Sequence, residues 1–170
     1  TGQSLAWIKL QSTETTADGK KKMHIQGIVT RADIVNTEGQ VYPLSVWQSN
    51  MPKMNELATQ GKFIGKLEHP DRELGLQDAA ILFTKFWMQG SDVWADATVI
   101  PTFPDGQNLQ AMIESGVAVD FSSRGYGSMK QQDFRGTPRQ VGQDDFTCVA
   151  FYAVWHGAST GSGVNSVQYQ

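Results

Sequence analysis

Two short stretches hold residue types that could meet in one reaction. Residues 65–70 read GKLEHP and place His69 between an acid and a proline; residues 119–125 read VDFSSRG and end an apolar run in two serines, an arginine and a glycine. A serine hydroxyl is a weak nucleophile at neutral pH until a base takes its proton, and histidine is the side chain best matched to that task. Ser122 or Ser123 could then attack a carbonyl, with Arg124 as a charge stabiliser and the backbone N–H near Gly125 as an oxyanion donor. Neighbours on a regular strand point to opposite faces, so only one serine at a time can fill the role.

A third polar group normally orients the imidazole. Glu68 is next to His69 and on an extended chain points away from it, which leaves Asp145, Asp120 and His156 as candidates. Asp120 lies two residues before Ser122 and shares its face on a regular strand. Each feature also has a plainer reading: His69 as a loop histidine ahead of Pro70, the serines as edge-strand residues bonding backbone, and His24 as a packed residue in an apolar strand. No HxxxH, HxH or CxxC spacing occurs, so neither a metal nor a cofactor site is expected.

These residues need a scaffold. A chain of 170 residues is long enough to bury a core, and one domain covering 1–170 is expected. The net charge of -3 gives no electrostatic footprint for a nucleic-acid partner. The single cysteine, Cys148, excludes an internal disulfide and reads as a small buried hydrophobe suited to a reducing cytosol. No apolar run is long enough to span a membrane, and no basic-then-apolar leader is visible, so a soluble chain is expected.

Segments rich in β-branched and aromatic residues predict a mostly β, α+β chain, with strands within 5–10, 23–35, 41–47, 62–67, 79–90, 92–100, 116–123 and 145–155. Gly90-Ser91-Asp92 predicts a hairpin between two of them. Helices are expected over 51–60, with Asn50 as N-cap, and over 107–115. Polar segments 12–22 and 128–144 read as long loops, and the tail 157–170 as a flexible end that frays or crosses to another element.

Several segments in order resemble the prohead core proteases of large tailed bacteriophages. GIVTRADIVNTEGQVYP (27–43), GKLEHP (65–70) and the run 106–127 containing AVDFSSRGYG match that family's pattern over roughly residues 25–160. The resemblance implies an antiparallel β-barrel flanked by a few helices, related to herpesvirus assemblin, with the catalytic histidine and serine on neighbouring strands. It maps the catalytic histidine onto His69 and the nucleophile onto the SSRG serine, where the family's preference for an apolar preceding residue selects Ser122, with Ser123 as alternate.

It further implies a serine endopeptidase that cleaves scaffold, capsid and other procapsid proteins inside the procapsid in the infected cytoplasm. A homo-oligomer and self-cleavage also belong to that expectation, and the Thr-Gly start fits a matured or trimmed chain. Family members tend to cut after glutamate, a carboxylate that Arg124 could read by a charge-assisted bond. One departure stands out. Tyr152 occupies a position where the family carries an aspartate, which keeps open a non-catalytic procapsid or internal head protein that retains the fold.

Overall fold

The computed structural model of the protein describes residues 14–15, 21–36, 38–67, 76–154 and 163–169. In chain order these form β1 (Glu14–Thr15), β2 (Lys21–Arg31), β3 (Gln40–Val41), α1 (Leu44–Thr59), β4 (Ile64–Leu67), a 3-10 turn (Leu76–Asp78), β5 (Ala79–Gln89), β6 (Asp92–Val99), α2 (Pro104–Glu114), β7 (Asp120–Tyr126), β8 (Met129–Phe134), β9 (Thr137–Gly142), β10 (Thr147–Val154) and β11 (Gly163–Tyr169). The mostly β reading and the β5–β6 hairpin hold, with Gly90 in the turn at φ 58°.

The strands make two sheets. The larger runs β1-β2-β6-β5-β4-β10-β7, with β11 added to β2; the smaller runs β3-β9-β8. The large sheet curls until β7 lies beside β2, yet no ladder joins these two among the described residues. The result is a half-barrel with a seam. Nor is the sheet wholly antiparallel, because β4 and β10 run parallel.

The core lies between the curled sheet and α1. Phe151 of β10 is fully buried against Trp47, Phe63, Phe83 and Phe86, with ring centroids 5.8–6.2 Å apart. Burying aromatic rings in stacked and tilted contacts contributes their large apolar area plus a further ~0.5–1.5 kcal/mol per pair. Gly65 of β4 makes this close packing possible: a Cβ there would fall 2.6 Å from the Phe151 carbonyl oxygen and 2.8 Å from the Phe83 ring.

Several expected boundaries move. The segment 41–47 is not a strand beyond Val41, because α1 starts at Leu44 rather than at Met51. Pro43 fixes the entry at φ -63°, and the Asp33 carboxylate, eleven residues upstream, accepts the first helical N–H, that of Leu44, at 3.2 Å. The buried positions Val46, Trp47, Asn50, Met54 and Ala58 then follow helical spacing. Asn50 is therefore an interior residue and not a cap. Helix α2 likewise begins at Pro104, a residue preorganised for a first helical position, three residues before the expected start.

The polar stretch 128–144 folds as the β8–β9 hairpin, turned at Arg135-Gly136 with φ 52° and 87°. Two left-handed residues in succession are the signature of a type I′ turn. Part of the tail, Gly163–Tyr169, crosses back and pairs antiparallel with β2. No helix among the described residues is long and apolar enough to cross a membrane.

Candidate active site

Strand β7 carries Ser122, Ser123, Arg124 and Gly125, and pairs antiparallel with β10. Its register is continuous from Asp120 to Arg124, and the one irregularity lies further on, between Cys148 and Ala150 of β10. Alternation therefore holds at the serines. Phe121 is buried in the core, so Ser123 shares the core-facing side, while Asp120, Ser122 and Arg124 share the opposite face. Ser122 stands directly across from Tyr152, and Tyr152 is in turn paired with Lys66 of β4.

Strand β4, which leads towards His69, is separated from β7 by β10, and two interstrand spacings amount to about 10 Å. β4 ends at Leu67; His69 and His156 lie outside the described residues. Tyr152, at the position where the resemblance implies an aspartate, is buried between the two strands.

A cleft of about 230 Å³ opens beside β7, lined by Ser122, Ser123, Arg124 and Gly125 on one side and by Asn36, Glu38, Gln40 and Tyr42 on the other, with Phe146 at its base. The far wall is a closed turn. The Asn36 side-chain oxygen accepts the N–H groups of Glu38 and Gln40, each at 2.9 Å, while the Asn36 and Gly39 N–H groups bond Gln40 and Asn36 carbonyls. Such an Asx turn holds its shape without outside help. Gly125 in the near wall cannot carry a side chain, because a Cβ would fall 2.3 Å from the Thr147 carbonyl oxygen and 2.7 Å from the Phe146 ring.

The electrostatics of the cleft are mixed. Arg124 and Glu38 bring opposite charges to opposite walls. Burial, followed by the Glu38 carboxylate, raises the Tyr42 phenol above its usual range, so its hydroxyl keeps its proton and can donate. Cys148 is buried and its thiol is pushed far up by desolvation, which leaves it inert as a nucleophile.

Of the third-member candidates, Asp120 sits on β7 on the Ser122 face. Asp145 sits elsewhere: its carboxylate accepts the Ser128 N–H and hydroxyl at 3.0 and 2.9 Å in the corner between β7 and β8. Ser128 is six residues beyond Ser122, which is about 20 Å along an extended chain. The residues of the far wall were not singled out as site residues, although Asn36 and Gly39 carry a visible turn signal. Their place opposite the serines depends on the curl of the sheet.

The class of protein follows from a match that spans nearly all of the sequence. Residues 1–167 match the family of prohead core protein serine proteases, and the chain belongs to it. It is similar to the prohead core protein protease of Enterobacteria phage T4, at 32% identity over 139 residues covering 80% of this chain and 65% of that protein. The chain thus spans a little under two thirds of that relative's length. Its fold is similar to that of the bacteriophage T4 capsid assembly protease, with a TM-score of 0.70 at 27% identity over 86% of this chain and 90% of that one.

Proposed function

We propose that this chain is a serine endopeptidase that cuts scaffold, capsid and other procapsid proteins within the assembling prohead, with Ser122 as nucleophile and His69 as general base. The observation that carries the reading is the clustering of Ser122, Ser123, Arg124 and Gly125 along one cleft in a chain of this family. In the reaction, the His69 imidazole takes the hydroxyl proton as the Ser122 oxygen attacks the scissile carbonyl carbon. N–H groups near Arg124 and Gly125 stabilise the oxyanion. The imidazolium then protonates the leaving amine, and water, deprotonated by the same imidazole, hydrolyses the acyl-enzyme. Asp120 or His156 orients the imidazole; Asp145 is already engaged by Ser128. Arg124 is placed to read a substrate carboxylate from the near wall.

Single Ser122→Ala, Ser123→Ala and His69→Ala proteins, assayed on a scaffold-derived peptide, test these roles. Losing the nucleophile or the base is expected to cut kcat by about a thousandfold or more. Full cleavage by Ser122→Ala together with loss in Ser123→Ala would transfer the role to Ser123. A second reading draws on Tyr152, buried opposite Ser122: a head protein that keeps the fold without the reaction. A fluorophosphonate probe separates the two, since covalent labelling at Ser122 requires an activated hydroxyl.

A further inference from the structure

We infer that Tyr42 and Phe146 are positioning residues for the reaction: their rings form a spacer between Gly142 of β9 and Gly125 of β7, and that spacer holds the backbone beside Ser122 in place. The inference rests on the proteolytic reading for what is being positioned. The spacer itself is a matter of packing.

Tyr42 stands near the end of the run 27–43, and no step of the proposed reaction uses it. A chain of close contacts nevertheless ties it to the strand that bears the serines. A Cβ on Gly142 would fall 2.6 Å from the Tyr42 ring. The Tyr42 and Phe146 ring centroids lie 4.7 Å apart, tilted by 49°. At the other end, a Cβ on Gly125 would fall 2.7 Å from the tip of the Phe146 ring, and one on Gly127 would fall 2.6 Å from the Phe146 Cα. Neither end has room for a methyl group, so the chain Gly142–Tyr42–Phe146–Gly125 has no slack.

Phe146 is held from several sides. Trp47 meets its ring edge-on at 5.6 Å, the Asn50 amide donates to its carbonyl at 3.0 Å, and its own N–H donates to the Gln143 carbonyl at 3.0 Å. In a close-packed interior a displacement is passed to the next contact rather than absorbed. Both rings also line the cleft, Tyr42 in the far wall and Phe146 at the base. They therefore set the separation of the far wall from β7 together with the place of Gly125, whose neighbourhood supplies the oxyanion donors. A misplacement of about 1 Å can cost about a hundredfold in rate, so a fraction of that should still cost about tenfold.

Gly142 reaches the spacer from outside the cleft. The three atoms nearest a Cβ there all belong to the Tyr42 ring, and the residue is not in the left-handed region, so its backbone accepts alanine. Gly142→Ala should thus push the Tyr42 ring, whose nearer ring neighbour is Phe146.

The test is a double-mutant cycle of Gly142→Ala and Phe146→Leu, read in two ways on folded protein: amide NMR spectra of glycine-labelled samples, and cleavage of a scaffold-derived peptide. Gly142→Ala should move the Gly125 amide resonance and lower kcat about tenfold, with KM within about twofold of the parent value. In the Phe146→Leu background the same substitution should leave that resonance in place and change kcat by less than about twofold, because the ring that passes the displacement on is gone. Losses that multiply, an unchanged kcat, or a loss carried by KM would overturn the inference. If Gly142→Ala fails to fold, Tyr42→Leu shortens the same chain, and its loss should likewise fail to multiply with that of Phe146→Leu. The two readouts separate the inference from the reading beneath it. A Gly125 resonance indifferent to Gly142→Ala removes the spacer whatever the cleavage shows. A resonance that follows the cycle in a parent protein that cleaves nothing sinks the proteolytic reading, and the positioning role with it, and leaves the spacer as packing alone.

Discussion

Asp145 shows how a carboxylate that resembles a catalytic candidate in sequence can be committed elsewhere. The backbone N–H and then the hydroxyl of Ser128 hold it below the usual carboxylate range, and both bonds favour the ionised form. A carboxyl group depressed in the folded state adds stability that is fully present above its unfolded value, about 4, and is lost as pH falls through the folded value. Asp145→Ala should therefore lower Tm at pH 7, and the gap to the parent protein should narrow as the pH falls below the unfolded value and through the lower folded one. Cleavage by a folded Asp145→Ala protein should persist, because the group braces a corner distant from Ser122. A Tm gap that stays constant with pH would count against the assignment. At this scale the candidate residue types were legible, as SSRG and EHP are short local patterns. Asp145's partner was not, since Ser128 lies seventeen positions away and only the β7–β8 corner brings the two together.

Helix α1 does more than cover the core, because two asparagines on it substitute for missing strand partners. Asn50 donates to the Phe146 carbonyl at 3.0 Å and accepts the Cys148 N–H at 2.9 Å, while Asn55 makes the same pair of bonds with the Phe86 carbonyl and N–H at 2.9 and 2.8 Å. Each amide clamps the helix to the backbone of one strand, β10 and β5 respectively. Asn50 is buried, so Asn50→Ala would leave an N–H and a carbonyl without partners, at a cost of about 2–4 kcal/mol in urea unfolding. Retention of full stability would show that the bonds are replaced on truncation. Asn50 looked like a helix cap in sequence because its true partners are 96 and 98 positions away. The β8–β9 hairpin escaped notice for a different reason. Most of β8 is exposed on both faces, so no alternation of apolar residues marks it, and only Arg135-Gly136 carries the turn signal.

Across the whole molecule, the strand order decides what the candidate site can be. Strand content and the main hairpin could be read from periodicity, but the order β4-β10-β7 could not, since it joins segments about ninety and about thirty residues apart. β10 is the element through which the chain leading to His69 and the chain bearing Ser122 are held in register. Phe151 secures that position: it pairs with Gly65 of β4 and Ser123 of β7 while its ring anchors the aromatic core. Phe151→Ala should cost about 3–5 kcal/mol, a large fraction of the stability of a chain this size. Phe151→Leu removes the ring contacts but leaves a large apolar side chain, so it should cost less than Phe151→Ala and leave a folded protein in which the spacing of the two outer strands can relax. If catalysis depends on that spacing, kcat for a scaffold peptide should fall several-fold in Phe151→Leu while Kd for the same peptide changes little. Equal losses in both would count against β10 as the spacer that sets the chemistry, since the change would then act on peptide binding as much as on the reaction.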